Sequence, residues 1–143
     1  MKISLDTSII VEIERRKEKT VELIENLLIL HKIFISAVVP SEIFTGTYLR
    51  EDYMRATQKA KRLFSTFEII PLNTEIAEII GRINAFLIAD GSVIVIEYQD
   101  VAIAATFLYK SGDYLLTKNK KHFSRIPELK GKSLTPSEAD MIV

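Results

Sequence analysis

The sequence has no cysteine and only two histidines, His31 and His122. Without cysteine the chain has no disulfide framework, no thiolate zinc site and no cysteine nucleophile. Two histidines are too few for a histidine-rich metal cage. With four prolines and five glycines there is also no room for a low-complexity linker. These absences exclude disulfide scaffolds, zinc fingers and thiol enzymes.

The chain also lacks net charge and long hydrophobic runs. Lysine and arginine (19) balance aspartate and glutamate (19), which argues against a generic polycation that coats nucleic acid. The most apolar stretches, LLILHKIFISAVV and SVIVIEYQDVAIAATFLY, are interrupted by charged or polar residues, whereas a spanning helix needs ~20 mostly apolar residues. The N-terminus carries Asp6 in its first apolar stretch and has no signal-peptide cleavage pattern. We therefore expect a soluble cytoplasmic protein with no membrane partner.

The chain has 143 residues, of which 48% are hydrophobic and 27% are charged, and these values predict one folded domain over residues 1–143. Short apolar runs rich in β-branched residues alternate with longer amphipathic segments. One amphipathic segment has a basic face formed by Arg55, Lys59 and Arg62, which we interpret as the solvated side of a helix that covers a sheet. The predicted strands are 2–5, 32–36, 67–71, 114–117 and 132–134, and the predicted helical segments are 7–30 (with a break at 15–19), 41–50, 51–65, 73–90 and 98–110.

This alternation predicts an α/β domain with a parallel sheet and helices on both faces. Sheets of this kind bind ligands outside the carboxyl ends of their strands, at the point where the strand order reverses. Residues that follow the predicted strands are therefore the candidates for a functional site.

Acidic and amide side chains lie at these points. Asp6 directly follows the first predicted strand, and Glu42 lies in the helix after the second. Asp100 lies near the start of the most apolar helix, and Asn119 follows the fourth strand. All four are oxygen donors, which suit Mg²⁺ or Mn²⁺ and do not suit zinc.

Each of these residues also has a purely structural interpretation. Asp6 would cap the helix that begins at Thr7, and Glu42 would interact with a helix dipole for only ~0.3–1 kcal/mol. Asn119 would be a turn residue. Asp100 is harder to explain, because the helix beyond it is almost entirely apolar and a buried carboxylate is costly unless it is paired or metal-bound. Singly, each structural interpretation is the better one, but together the acids are poorly explained as caps.

A basic segment follows the fourth predicted strand. Residues 118–132 contain six lysine or arginine residues and one acid, Glu128. A solvated loop is the common explanation, and a rim that binds phosphates beside the metal edge is the functional one. His122 would be a general acid–base residue, but a lone histidine before phenylalanine more often packs locally. The candidate phosphate-binding residues are Lys118, Lys120, Lys121 and Arg125.

Motifs for other chemistries are missing. The chain has no GxGxxG, no P-loop and no GxSxG, so dinucleotide-binding, nucleotide triphosphatase and α/β-hydrolase functions have no support.

Four segments resemble the signature blocks of PIN domains: LDTSIIVEI, ISAVVPSEIFTG, QDVAIAATFL and LLTKNKKHFSRIPEL. The blocks occur in the expected order and span almost the entire chain. The likeness is greatest to the VapC-type toxins, which are the ribonuclease components of toxin–antitoxin pairs. One block alone would be weak evidence, whereas four in order support the fold strongly.

The resemblance implies a three-layer α/β/α fold around a parallel sheet of order 3-2-1-4-5. By block matching, Asp6, Glu42 and Asp100 occupy the positions of the family acids that hold Mg²⁺ or Mn²⁺, and Asn119 falls where members carry Asp or Asn. The family further implies an RNA substrate, a homodimer and a cognate antitoxin. Polar positions that orient metal ligands or water are matched by Thr7, Ser8 and Thr117.

The chain departs from the family pattern at two places. Many members have an aspartate two residues before the third acid, where this chain has Tyr98 with Glu97 beside it. The segment SVIVIEYQD, which leads to the third acid, is also more apolar than the glycine-rich segment that family members usually have there. Because Asn119 removes one charge as well, the number of metal ions and the contribution of Glu97 stay open.

The leading hypothesis is a Mg²⁺- or Mn²⁺-dependent endoribonuclease of the VapC type. One alternative is a weakly active PIN-like module that acts by binding partners, and another is a PIN-like nuclease that processes RNA outside a toxin–antitoxin pair. The zero net charge is compatible with a nuclease, because it hides acids expected at the strand ends and a basic run after the fourth strand. Neutrality excludes indiscriminate coating of nucleic acid, but not its cleavage.

Overall fold

Five short strands form a sheet in the computed structural model, which describes residues 1–91 and 96–143. All strand pairs in it are parallel, and the strand order is β3-β2-β1-β4-β5. The predicted architecture, a parallel sheet of order 3-2-1-4-5 between helices, is thereby confirmed. The strands are β1 (Lys2–Leu5), β2 (Lys32–Ser36), β3 (Glu68–Ile70), β4 (Tyr114–Leu116) and β5 (Ser133–Leu134).

Helices connect the strands and cover both faces of the sheet. The break predicted within residues 7–30 is confirmed, since the first helix ends at Glu14 and the next begins at Glu18. Arg16, between them, has a positive φ of 53° that turns the chain. The described helices are α1 (Thr7–Glu14), α2 (Glu18–Leu30), α3 (Val38–Tyr48), α4 (Tyr53–Phe64), α5 (Thr74–Asp90), α6 (Tyr98–Tyr109), α7 (Lys120–Phe123) and α8 (Pro136–Ala139).

The core lies on both faces of the sheet, as expected for parallel strands. Ile3 and Leu5 of β1 are fully buried, and every residue of α6 from Val101 to Phe107 is buried. Three alanines in that stretch allow α6 to pack closely against α5. The most apolar predicted helix is therefore the central one, and its first turn carries Asp100.

The strand register determines which residues meet at the edge of the sheet. Leu5 of β1 pairs with Leu116 of β4, so the residues that follow, Asp6 and Thr117, are neighbours where these strands end. The chain order reverses at this same place, because β1 lies between β2 and β4. The edge predicted to hold the functional residues is thus the switch point of the sheet.

The structure differs from the sequence-based expectations at some boundaries. Helix α3 begins at Val38 rather than at residue 41, because Pro40 fits within the first turn, where backbone N–H groups have no helical partner. The short helices α7 and α8 were not predicted. Residues 92–95 of the apolar segment SVIVIEYQD lie outside the described residues. Within residues 1–91 and 96–143, none of the helices has the length and apolar character needed to cross a membrane.

Candidate active site

Asp6 is the most buried acid of the candidate site, with 2% of its surface exposed. Its carboxylate accepts hydrogen bonds from the backbone N–H of Ser8 (2.9 Å), the Ser8 hydroxyl and the Thr117 hydroxyl. Asp6 is therefore the N-cap of α1, as the structural interpretation requires. Burial raises the pKa of the Asp6 carboxyl above its ordinary value of 3.8, and these hydrogen bonds oppose that rise.

Two further acids approach the same edge from the helices. Glu42 of α3 is half-buried and accepts a hydrogen bond from the Thr7 hydroxyl at 2.7 Å. Asp100 of α6 lies 2.9 Å from Nδ1 of His122 on α7. Each acid is thus oriented by a side chain from a different element of the fold.

The acids are close enough to interact electrostatically. Burial raises the pKa of Glu42 above its ordinary value of 4.5, and the negative charges of Asp100, Asp6 and Glu97 raise it further. The hydrogen bond from Thr7 opposes these effects. The fold therefore brings Asp6, Asp100 and Glu97 near enough to Glu42 for their charges to act on it. A bound cation would relieve this repulsion.

Hydrogen bonds join the loop after β4 to the start of α1. The Ser8 hydroxyl accepts from the backbone N–H of Lys118 (3.0 Å), and the Thr117 hydroxyl accepts from that of Asn119 (2.8 Å). Ser8 and Thr117 thus hold both Asp6 and the loop that bears Asn119. The Asn119 side chain is exposed and makes no hydrogen bond to any other described residue.

Part of the predicted basic rim is already engaged in ion pairs. Lys118 Nζ lies 2.8 Å from Glu12 Oε1, and Lys120 Nζ lies 3.0 Å from the Glu138 carboxylate. The Lys118 hydrogen bond, followed by one from Thr20, holds the pKa of Glu12 below its ordinary value. Lys121 is exposed, and the largely buried Arg125 approaches Asp90 at 3.9 Å. The phosphate-binding role of these four cations stays a prediction.

Two features of the site were missed from the sequence. The first is the contact between His122 and Asp100, which are 22 residues apart and meet only because α7 packs on α6. The second is a cleft of about 1080 Å³ between α1, α3 and α4, which is lined by Thr7, Glu42 and several cations. The basic face of α4 was visible in the sequence, but its position beside the acids depends on the fold.

Comparison with known proteins places this site in a family. The PIN-domain family model matches residues 3–129. The comparison with curated protein sequences gave no match.

Several solved structures share the fold over nearly their full length. VapBC2 from Rickettsia felis, bound to a DNA fragment from its promoter, contains a chain 26% identical to this one (TM-score 0.84; 94% of this chain and 98% of that chain covered). VapBC-1 from nontypeable Haemophilus influenzae contains a chain 24% identical (TM-score 0.81; 96% and 99% covered). A toxin–antitoxin complex from Klebsiella pneumoniae contains one 22% identical (TM-score 0.69; 94% and 97% covered).

The family match covers the acids Asp6, Glu42 and Asp100 as well as Asn119. The family match agrees with the observed strand order and with the acids that lie near one another at the switch point. The chain therefore belongs to the PIN-domain family.

Proposed function

We propose that the protein is a Mg²⁺- or Mn²⁺-dependent endoribonuclease of the VapC type that hydrolyses RNA phosphodiester bonds. The observation that carries this proposal is the position of Asp6 where β1 and β4 end, with Glu42 held beside it by a 2.7 Å hydrogen bond from Thr7. Membership of the PIN-domain family and the toxin–antitoxin structural neighbours support a nuclease.

The donor set fits a divalent cation in its chemistry and charge. Carboxylate oxygens are the ligands that Mg²⁺ and Mn²⁺ prefer. Within the described residues, no group of three or more acidic or histidine side chains is positioned to hold a metal ion directly. Magnesium usually retains several waters and takes only one or two carboxylates directly. Asp6, Glu42 and Asp100 would therefore hold the ion partly through water.

The chain's own residues would prepare the site for hydrolysis. A bound divalent cation lowers the pKa of a water and stabilises the charge that develops on the scissile phosphate. Ser8 and Thr117 hold the Asp6 carboxylate in place, and Thr7 does the same for Glu42. Asn119 presents an exposed amide that would orient water or substrate. In this proposal Lys118, Lys120, Lys121 and Arg125 bind flanking phosphates.

A cleavage assay tests the proposed function. Asp6→Asn and Asp100→Asn each remove one charge while keeping side-chain size, and we expect either to reduce Mn²⁺-dependent cleavage of single-stranded RNA by at least about 100-fold. Asp140→Asn, an exposed acid far along the chain, is the matched control and should cleave like the wild type. Full activity in both site variants would contradict the assignment.

Partners are proposed from the same family relationship. The structural neighbours include toxin–antitoxin complexes, which supports a small antitoxin as a partner of this chain. We also propose a homodimer and a cytoplasmic location. A small antitoxin gene beside the gene for this chain would distinguish a toxin from an RNA-processing nuclease.

One observation favours a second candidate, a PIN module that binds partners but cleaves weakly. Asn119 replaces an acid found in some members, and its side chain has no hydrogen-bond partner within the described part of the chain. Such a module would bind no divalent cation at millimolar concentration. A metal titration therefore separates it from the nuclease.

A further inference from the structure

A cleft beside the acids contains more positive charge than the proposed nuclease chemistry uses. We call it the basic cleft, and six cations line it against three acids: Glu14, Glu42 and Asp52. Helix α4 forms one wall, the end of α1 and the turn after it form the opposite wall, and α3, which contacts both helices, forms the floor. The six cations are Arg15, Arg16, Arg50, Arg55, Lys59 and Arg62.

Most of these cations are available to a ligand. Arg50 is paired with Asp52 at 2.8 Å, but no described carboxylate lies within 4.0 Å of the other five. All six side chains are exposed. The segment after β4 differs, because Lys118 and Lys120 already have acidic partners. Five cations without a described ion pair therefore line this one cleft.

The cations of α4 form a continuous row. Arg55, Lys59 and Arg62 are spaced four and three residues apart, which places them on one helical face. The row is about 10 Å long at 1.5 Å per residue. This length exceeds a single phosphate and suits a run of successive backbone phosphates.

The basic cleft is continuous with the candidate active site. Thr7 and Glu42 line it, and these two residues hydrogen-bond to each other beside Asp6. A strand with its scissile phosphate at the acids would therefore enter the cleft directly. Gly46 on the floor leaves the passage open, since nothing lies within 4 Å of a Cβ added there.

We propose that the basic cleft is the track for single-stranded RNA, and that Arg55, Lys59 and Arg62 bind the backbone phosphates on one side of the scissile bond. This inference rests on the proposed ribonuclease function and assigns substrate contacts to a surface different from residues 118–125. Positively charged grooves that follow the backbone are the usual way to bind single strands without reading their sequence. An acidic peptide would match the cations but would not explain why the cleft ends at acids suited to a metal ion.

Gly46→Glu tests the track without removing any of its cations. The added side chain places bulk and negative charge on the floor, while the exposed helical position and the open space around it leave the fold intact. Gly81→Glu is the matched control, because Gly81 is also an exposed helical glycine with no atom within 4 Å of an added Cβ and lies on α5, away from the cleft. Both variants should melt at or above the wild-type temperature.

Binding is measured by fluorescence anisotropy with a labelled RNA of about twelve nucleotides. A chelator is present, so that binding is recorded without cleavage. We expect Gly46→Glu to weaken binding about tenfold at about 0.1 M salt, and Gly81→Glu to change it less than about twofold.

A second pair of variants tests the phosphate contacts themselves. Arg55→Gln with Lys59→Gln should lower the slope of log K against log[salt] by about 1.4, because each single-strand phosphate contact contributes about 0.7. Lys19→Gln with Lys61→Gln removes the same charge outside the cleft and should leave the slope unchanged.

The outcomes separate this inference from the proposed function. Selective loss of RNA binding in the cleft variants supports the track, even if Mn²⁺-dependent cleavage by the wild type is absent and the ribonuclease assignment fails. Equal binding by cleft and control variants overturns the track, even if the wild type cleaves RNA. No binding of this RNA by the wild type also overturns it. If the cleft variants still bind RNA but no longer bind a labelled oligoglutamate peptide, the cleft is a peptide site instead, and the track is overturned.

Discussion

Asp6 shows at the scale of one residue how stability and proposed activity conflict. It is almost fully buried, and burial raises its pKa even though the Ser8 and Thr117 groups donate hydrogen bonds to its carboxylate. An ionised Asp6 therefore destabilises the folded state when no cation is bound. A destabilising buried charge of this kind is typical of active sites, where residues are retained for chemistry rather than for stability.

Asp6→Asn should therefore leave the metal-free protein no less stable at neutral pH, and we expect a gain of up to about 1 kcal/mol. Because the pKa of Asp6 is raised in the folded state, the penalty is complete above that folded pKa. It declines as the pH falls through the folded pKa and disappears below the ordinary value of 3.8. The stability difference between variant and wild type should shrink in the same direction.

Urea unfolding in chelator, from neutral to acidic pH, measures this difference. Asp140→Asn serves as the exposed control and should show no such trend. If Asp6→Asn lowers the free energy of unfolding by more than about 1 kcal/mol at neutral pH, the stabilisation from the Asp6 N-cap exceeds the cost of burying its charge.

At the scale of elements, the sequence predicted those units that local pattern determines. The strands were identified by apolar β-branched residues, and the break between α1 and α2 by the charged residues 15–19. Boundaries set by tertiary packing were less predictable. Helix α3 starts before Pro40, and the four-residue helix α7 is too short to show a periodic pattern. The His122–Asp100 contact depends on α7 and was therefore missed.

The turn between α6 and β4 depends on a glycine that lies against the core. A Cβ at Gly112 would lie 2.4 Å from two ring carbons of Phe107, which is fully buried. We expect Gly112→Ala to lower the free energy of unfolding by about 1–3 kcal/mol, since the ring has no space to move away.

Gly81→Ala provides the control for this substitution. It lies in a helix with open space around it, and it should stabilise the protein by about 0.5–1 kcal/mol. Thermal or urea unfolding measures both changes. A Gly112→Ala variant as stable as the wild type would refute the proposed steric conflict.

At the scale of the molecule, the fold separates the charges that sum to zero in the sequence. Asp6 lies at the switch point, as the rule for parallel sheets predicts for a residue that follows the first strand, and Glu42 and Asp100 come near it from helices. The basic cleft was not predicted, because the cations of the turn after α1 are distant in sequence from those of α4 and the turn before it. The sequence therefore located the acids but not the surface through which a substrate would reach them.

The most direct test of the central claim, that the acids hold a divalent cation, is calorimetric titration of the intact chain with Mn²⁺. We expect saturable binding at or below millimolar Mn²⁺, a higher melting temperature with the metal, and at least about tenfold weaker binding by Asp6→Asn. Asp140→Asn should bind like the wild type. Absence of both binding heat and thermal stabilisation at millimolar Mn²⁺ would show that these acids hold no divalent cation.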